Sequence, residues 1–168
     1  LRNRKKGGLG LYPLEKIKFP VTFTSEEPKK INYKPLEYPT KLNALEILEK
    51  HPTGIKYKQL VNGWKRFPIF VDSNGTIMSM PPILNSHDVG KINESTTEVF
   101  VEITGRDMKT LTMAFEILVG ALIDMGGKAY SLNIVYDKKT LVAPSFKSEE
   151  RKLKVDYVNK ILGLSLKS

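Results

Sequence analysis

The 168-residue sequence contains no cysteine. Disulfide crosslinks, thiolate nucleophiles and cysteine-bound zinc are therefore excluded, and the composition fits an intracellular protein. Long apolar runs are also missing, because no stretch approaches the roughly 20 residues that a membrane-spanning helix needs. Instead, 40% of the residues are hydrophobic and 27% are charged, which predicts a globular domain with a sizeable core.

Histidine is scarce too, and His51 and His87 are the only two in the sequence. Residues 86–88 read Ser-His-Asp, but adjacent residues cannot converge in space as the members of a catalytic triad do. His51 stands before Pro52 at the predicted end of a helix, where a histidine usually interacts with the helix dipole. Neither metal-ligand spacing nor a phosphate-binding loop is present, so the sequence gives no support for metal-dependent or nucleotide-binding functions.

Acidic residues are fewer than basic ones. The sequence has 18 Asp and Glu and 27 Lys and Arg, which gives a net charge of +9. A surplus of this size favours a polyanionic partner, and nucleic acid is the first candidate. A basic proteome would produce the same surplus without any such partner. Charge alone leaves both explanations open.

Residue periodicity predicts an α/β (α+β-like) fold with mixed or antiparallel sheets and flanking helices. The predicted strands cover 20–24, 68–72, 76–80, 99–104 and 129–136. The predicted helices cover 42–50, 55–61, 108–125 and 148–162, with Thr40 and Asp107 as N-caps and Gly163 as the last stop. We expect residues 1–143 to form one domain, and 144–168 to supply a linker and the first helix of a following domain.

The clearest hairpin signal is the Asn-Gly pair at 74–75, which lies between two apolar stretches. With these residues at the centre of the turn, Val71 faces Met78 and Phe70 faces Ser79. Directly opposed residues project from the same side of a sheet. Phe70 and Ser79 are therefore predicted to share one surface.

The strand predicted over 99–104 has two different faces. Alternation places Val99, Val101 and Ile103 on one face and Phe100, Glu102 and Thr104 on the other. We expect the apolar face to pack in the core. The second face sets a carboxylate and a hydroxyl beside an aromatic ring, which is unusual for a solvent-exposed surface. Taken by itself, that face is most simply explained as a buried polar pair satisfied by backbone groups.

Several segments resemble the β subunits of archaeal and eukaryal phenylalanyl-tRNA synthetases. They are FPIFVDSNG at 67–75, SMPPILNS at 79–86 and VFVEITGRD at 99–107, with RNRK at 2–5, GLYPL at 10–14 and YVNKILGL at 157–164. These segments run in order over essentially the whole chain, and the combination of the hairpin with SMPPILNS is specific. The resemblance implies that residues 1–143 are the editing domain of such a subunit, with the fold of that domain.

The activity implied by the resemblance is hydrolysis of tyrosine wrongly esterified to tRNA(Phe), while Phe-tRNA(Phe) is spared. Such a second site removes what the synthetic site cannot exclude. Because Tyr exceeds Phe by one hydroxyl, the editing pocket must require that hydroxyl. Polar groups left unpaired without it can discriminate by ~10⁴-fold or more.

The resemblance also implies which residues recognise the tyrosine hydroxyl. The positions that match the family's recognition residues are Phe70, Ser79, Glu102 and Thr104. Two of them depart from the family's pattern, since Phe70 stands where a smaller aliphatic residue is expected and Glu102 replaces a shorter carboxylate. We expect the four residues to form a substrate-binding pocket.

Members of this family position a water molecule with backbone groups and the substrate's own ribose, so no catalytic side chain and no metal ligand is predicted. An aminoacyl ester is already activated, and positioning supplies much of the acceleration. Arg2, Arg4 and Lys91 are candidates for contacting the aminoacyl linkage or the terminal adenosine. A solvated charge is the alternative explanation for each of them.

The implied setting is a cytoplasmic, heterotetrameric ligase, with tRNA(Phe) and the α subunit of the same synthetase as partners. No cofactor is expected in this chain, since ATP and Mg²⁺ belong to the whole ligase. The rival interpretation, from a different functional class, is a non-catalytic basic module that only docks RNA.

The net charge of +9 predicts that tRNA binding weakens steeply as salt rises. Each neutralised phosphate releases counterions. It makes the slope of log affinity against log salt concentration more negative by about 0.7–0.9. Fluorescence anisotropy of labelled tRNA, measured between ~50 and ~200 mM salt, gives this slope. A flat response would show that the positive charge is incidental to binding.

Overall fold

The computed structural model describes residues 4–148 and 150–167. Its strands are β1 (Gly7–Pro13), β2 (Thr22–Glu26), β3 (Asn32–Tyr33), β4 (Leu42–Asn43), β5 (Phe67–Val71), β6 (Ile77–Met80), β7 (Leu84–Asn85), β8 (Val99–Gly105), β9 (Leu132–Tyr136) and β10 (Lys139–Ala143). Its helices are α1 (Ala44–Lys50), α2 (Pro52–Tyr57), α3 (His87–Gly90), α4 (Met108–Asp124) and α5 (Val155–Leu162). The chain divides into two compact units, one up to Ile117 and one from Leu118 onward.

Antiparallel pairing builds every sheet within the described residues. In the first unit, β2, β5, β6 and β7 form a four-stranded sheet in that order, β1 pairs with β8, and β3 pairs with β4. This arrangement confirms the predicted mixed α/β fold with antiparallel sheets and flanking helices. In the part of the chain that the structure describes, no helix has the length and apolar character needed to cross a membrane.

The main core of the first unit joins α1 to the four-stranded sheet. Its buried side chains are Ile31, Tyr33, Leu42, Ala44, Ile47, Val61, Phe67, Ile69, Met80 and Ile83. On α1, Ala44 and Ile47 lie on one helical face, and on β5, Phe67 and Ile69 alternate onto one side of the strand. The buried face of α1 and the buried face of β5 thus pack together in a single apolar cluster.

Helix α1 begins at Ala44, later than the predicted position 42. Asn43 rather than Thr40 is the N-cap, because its side chain accepts from the Glu46 N–H at 3.1 Å. In return, the Glu46 carboxylate accepts from the Asn43 N–H at 3.0 Å, which completes a capping box. Leu42 pairs with Tyr33 in the β3–β4 ladder and is not available to the helix.

His51 connects α1 to α2. Its Nδ1 accepts from the Thr53 N–H at 3.1 Å and so caps α2, while its Nε2 donates to the Leu36 carbonyl at 3.0 Å. Helix α2 therefore starts at Pro52, before the predicted position 55. The buried ring serves the start of this helix, in place of the predicted interaction with the dipole of the preceding one.

Residues 73–75, which lie between the hydrogen-bonded pair Asp72 and Thr76, form a three-residue loop that closes the hairpin of β5 and β6. This loop takes the place of the predicted two-residue turn at 74–75. The Asp72 N–H donates to the Thr76 carbonyl at 3.1 Å, and the Gly75 N–H donates to the Asp72 carbonyl at 3.0 Å. Gly75 has φ +78°, as a type I turn followed by a left-handed residue requires. The buried Asp72 carboxylate fixes the loop by accepting from three backbone N–H groups, those of Lys18, Asn74 and Thr76.

This loop alters one predicted pairing of the hairpin and leaves the other intact. A bulge lies between Phe70 and Val71, so Val71 faces Ile77 instead of Met78. Past the bulge, Phe70 faces Ser79 as predicted. The bulge therefore lies at the loop end of the strands, and the pairing of Phe70 with Ser79 beyond it is regular.

Helix α4 begins at Met108, as predicted, and ends at Asp124. Asp107 caps it, because the Asp107 carboxylate accepts from the Thr110 N–H at 3.1 Å. The chain leaves the helix through Gly126, whose φ of +93° is the left-handed conformation typical of a helix C-terminus.

The second unit contains a hairpin that was not predicted, formed by β9 and β10. Its first strand begins at Leu132 rather than at 129. Helix α5 begins at Val155 rather than at 148, and Gly163 follows its last residue as the predicted stop, with φ +64°. Glu149, in the predicted first turn of that helix, lies outside the described residues. The domain boundary placed at 143 remains a prediction.

Replacing Asp72 by Ala should destabilise the protein by about 2–3 kcal/mol, because three backbone N–H groups lose their acceptor. Urea denaturation measures the free energy of unfolding. Asp88→Ala, which removes an exposed carboxylate, is the control and should change stability by no more than about 0.5 kcal/mol. Equal stability of the two variants would contradict the role given to Asp72.

Candidate functional site

The pairing of β1 with β8 creates a hollow that exposes two polar side chains. Gly8 faces Thr104 and Gly10 faces Glu102 across the ladder. Because the directly opposed residue is a glycine in both cases, it has no side chain that could cover the hydroxyl or the carboxyl group. The next residue on this face of β1 is Tyr12, whose hydroxyl reaches the Glu102 carboxyl.

A cavity of about 340 Å³ lies over this hollow. Its lining residues are Arg4, Gly7, Gly8, Leu9, Leu36, Pro81, Pro82, Leu84, Asn85, Glu102 and Thr104. The volume is near the lower end of the range for small-molecule sites. Walls that combine apolar side chains with polar and charged ones suit a small ligand that is itself partly apolar.

Glu102 is the buried acid of this cavity, with 7% of its surface exposed. Its Oε1 lies 3.3 Å from the Tyr12 hydroxyl, whereas its Oε2 is buried without a hydrogen-bond partner among the described residues. Burial raises the pKa of Glu102 to about 8, against a smaller lowering by the Tyr12 hydrogen bond. Near neutral pH the carboxyl is therefore mostly protonated.

Tyr12, Asn85 and Ser79 form the polar surroundings of Glu102. The fully buried Tyr12 hydroxyl lies 3.4 Å from Asn85 Oδ1, and burial, followed by the Glu102 charge, raises the pKa of Tyr12 well above its ordinary value. Ser79 faces Asn85 across β6 and β7. Its buried hydroxyl is close enough to lower the pKa of Tyr12, but it does not meet the geometry of a hydrogen bond.

The apolar face of β8 is less buried than predicted, whereas Glu102 on the polar face is buried. Val99, on the face predicted to be core, is 36% exposed, whereas Glu102 on the opposite face is 7% exposed. Val101 and Ile103 are only half-buried. The polar face is the covered one because the segment 81–85 contributes a wall of the cavity above it.

The structure brings two of the four predicted pocket residues, Glu102 and Thr104, into the cavity. Ser79 is buried behind them, next to Tyr12. Phe70 is not among the lining residues, since its ring packs against Phe23 with 4.8 Å between centroids and against the apolar cluster that contains Tyr12 and Met78. The roles of these residues in recognition remain predictions.

Arg4 forms part of the cavity lining and also holds one of its walls. Its Nη1 donates to the Pro82 carbonyl at 2.9 Å and to the Ile83 carbonyl. Its guanidinium lies over the Tyr57 ring, 4.5 Å from the centroid. These contacts tie the segment before β1 to the loop after β6. Contact of Arg4 with the aminoacyl linkage remains a prediction, and Arg2 lies outside the described residues.

Lys91 lines a second cavity, of about 350 Å³. The two cavities share Leu9, Leu36 and Asn85. The Lys91 ammonium pairs with the Glu37 carboxylate at 3.2 Å, and both side chains are largely exposed. An exposed pair of this kind contributes little stability and leaves the ammonium able to meet an anionic ligand.

Sequence reasoning missed three residues of the site, namely Gly10, Tyr12 and Asn85. The alternation of Gly8 and Gly10 with larger residues was the available signal, because glycines on one face of a strand mark a close approach of other groups. That signal becomes informative only when β1 is known to pair with β8.

Comparison with known proteins gives a consistent answer, although no family model matches the chain. The phenylalanine–tRNA ligase β subunit of Pyrococcus abyssi is 36% identical over 166 residues, which make up 99% of this chain and 30% of that subunit. The β subunit from Methanothrix thermoacetophila is 29% identical over 98% of this chain. The chain spans about 30% of the length of these curated relatives.

One solved structure with a close likeness is an N-terminal fragment of the phenylalanyl-tRNA synthetase β subunit from Pyrococcus horikoshii. Its TM-score is 0.93 at 33% identity, and the match covers 99% of this chain and 48% of that one. A likeness of both sequence and fold over nearly every residue confirms the resemblance seen in the sequence segments.

Gly10→Ala should disturb the site, because a Cβ at Gly10 would lie 2.5 Å from Glu102 Oε1 and 2.6 Å from the Tyr12 hydroxyl oxygen. Overpacking of this kind costs about 1–3 kcal/mol, which urea denaturation measures. Gly8→Ala is the matched control, since its nearest atom, Thr104 Oγ1, is 3.8 Å away. The control should change stability by about 0.5 kcal/mol or less. Equal effects of the two substitutions would contradict close packing at Gly10.

Proposed function

Because this chain belongs to the family of phenylalanine–tRNA ligase β subunits, as a segment of about 30% of their length, we propose that it hydrolyses tyrosine misattached to tRNA(Phe) and spares Phe-tRNA(Phe). Water cleaves the ester that joins the amino acid to the terminal ribose. The supporting observation is the Glu102 side chain, which lines a ligand-sized cavity and has a buried oxygen, Oε2, with no hydrogen-bond partner among the described residues.

This oxygen provides a way to distinguish Tyr from Phe. A tyrosine side chain in the cavity supplies a hydroxyl that donates to Oε2 of Glu102, whereas a phenylalanine ring leaves the carboxyl unpaired and covers it further. An unpaired buried polar group costs about 1–3 kcal/mol, and more when it is charged. Thr104 adds a second hydroxyl to the same cavity. A site built to bind a hydroxyl strongly rejects the analogue that lacks one.

The hydrolysis proposed here needs no general base. Glu102 is occupied with recognition, both ring nitrogens of His51 are engaged in hydrogen bonds, and His87 is not among the residues that line the cavity. An aminoacyl ester is an activated electrophile, so the protein contributes chiefly by holding the ester and a water molecule in place. The Arg4 guanidinium, which lines the cavity, suits the negative charge that develops on the ester oxygen.

The wider setting belongs to the same proposal. We expect the chain to act in the cytoplasm within a larger ligase, together with an α subunit. ATP and Mg²⁺ would serve that ligase at a site outside residues 1–168. The net charge of +9 supports contact with tRNA(Phe).

Deacylation of Tyr-tRNA(Phe) and Phe-tRNA(Phe) by the intact ligase tests the proposal. The wild type should hydrolyse the tyrosyl ester far faster than the phenylalanyl ester. Glu102→Ala should lower the ratio of the two kcat/KM values by about 10- to 100-fold, because it removes the acceptor for the tyrosine hydroxyl. Thr104→Val, which keeps the shape of the side chain, should lower the ratio by about 3- to 10-fold.

The matched control is Glu94→Ala, which removes an exposed carboxylate from the loop before β8 and should leave the ratio unchanged. An unaltered ratio in both cavity variants would contradict the recognition site. If the wild type hydrolysed neither ester while still binding tRNA, the editing activity would be refuted. That result would favour the alternative, a non-catalytic basic RNA-docking module.

A further inference from the structure

The buried Tyr12 hydroxyl has no role in the proposed function so far, although it lies at the centre of the site. Its oxygen is 3.3 Å from Glu102 Oε1 and 3.4 Å from Asn85 Oδ1. We propose that Tyr12 is a positioning residue for selectivity, which holds Oε1 of Glu102 so that Oε2 is the acceptor offered to a ligand hydroxyl. This inference rests on the proposed function and adds a residue to its recognition site.

The backbone fixes the direction from which Tyr12 reaches the carboxyl. Glu102 emerges directly opposite Gly10, and a Cβ at that glycine would come within 2.6 Å of both Glu102 Oε1 and the Tyr12 hydroxyl oxygen. Both groups therefore pack against bare backbone. The Tyr12 ring is fully buried in an apolar cluster with Ile17 and Met78. One carboxyl oxygen is thus held by a fixed neighbour and the other is left unpaired.

The Tyr12 hydroxyl, which has a single proton, can take part in two hydrogen-bond arrangements with Glu102 and Asn85. When Glu102 is ionised, Tyr12 donates its proton to Oε1. When Glu102 is protonated on Oε1, the carboxyl donates to the Tyr12 oxygen and Tyr12 donates to Asn85 Oδ1. In both arrangements Oε1 is occupied, and Oε2 keeps its lone pairs for a ligand.

Several elements bring polar groups to this pair. Arg4 lines the same cavity, Tyr33 on β3 raises the pKa of Tyr12, and the Ser79 hydroxyl on β6 lowers it. Among the described residues, Tyr12 is the hydrogen-bond partner of the Glu102 carboxyl. Removal of the Tyr12 hydroxyl is therefore the most direct way to change the state of this carboxyl.

The arrangement gives selectivity a definite dependence on pH. Burial raises the pKa of Glu102 to about 8, and the Tyr12 hydrogen bond opposes that rise. A ligand phenol that donates to Oε2 favours the ionised carboxylate, whereas a phenylalanine ring disfavours it. The preference for Tyr over Phe should therefore increase as pH rises through the pKa of Glu102.

The test measures the ratio of kcat/KM for Tyr-tRNA(Phe) to that for Phe-tRNA(Phe) in the intact ligase, from about pH 6 to 9, after subtraction of uncatalysed hydrolysis. Tyr12→Phe should lower the ratio about tenfold at neutral pH. It should also move the midpoint of the pH-dependent rise upward, because the pKa of Glu102 loses the lowering effect of the hydroxyl. A purely structural role would not move this midpoint.

Tyr38→Phe is the matched control, because it removes the hydroxyl of a half-buried tyrosine that lines neither cavity. It should leave the midpoint unchanged. As a second variant, replacement of Tyr12 by 3-fluorotyrosine keeps the ring and makes the hydroxyl a stronger donor, so the midpoint should move to lower pH. An unchanged ratio and midpoint with both Tyr12 replacements would overturn this role and leave the proposed function standing. A wild type that never prefers Tyr would overturn both.

Discussion

The site depends on the burial of the Glu102 carboxyl opposite a glycine. A Cβ at Gly10 would lie 2.5 Å from Glu102 Oε1, so any larger residue there would displace the carboxyl or the Tyr12 ring beside it. The same close packing removes the carboxyl from water and raises its pKa to about 8. Because Tyr12 forms a hydrogen bond with only one of the two carboxyl oxygens, the other oxygen remains an acceptor without a donor among the described residues.

Distant parts of the chain hold this arrangement in place. Tyr12 and Glu102 are 90 residues apart in sequence and meet only because β1 pairs with β8. Another wall of the cavity comes from the loop after β6, which Arg4 holds through the carbonyls of Pro82 and Ile83. The register of β6 depends in turn on the hairpin loop that the Asp72 carboxylate fixes. Backbone hydrogen bonds remote from the carboxyl therefore shape the cavity.

Local patterns predicted those parts of the site that depend on neighbours in the sequence. Alternation along one strand placed Glu102 and Thr104 on a common face, and the Asn-Gly turn placed Phe70 opposite Ser79. The apolar face of that strand was predicted to lie in the core and is only half-buried or exposed, because burial depends on contacts with strands distant in sequence, such as one about ninety positions earlier. Tyr12 lacked a local signal for the same reason, since its contact with the carboxyl exists only in the folded pairing.

The central claim is that the unpaired oxygen of Glu102 recognises the hydroxyl of the ligand. The most direct measurement is a ¹³C NMR titration of the Glu102 side-chain carboxyl. It is made with the site empty and with a non-hydrolysable amide analogue of the tyrosyl or the phenylalanyl ester of adenosine bound. A pKa near 8 is predicted for the empty site. The tyrosyl ligand should lower this pKa and the phenylalanyl ligand should not, because only the phenol donates to the ionised carboxylate. Identical titrations with the two ligands would contradict the claim.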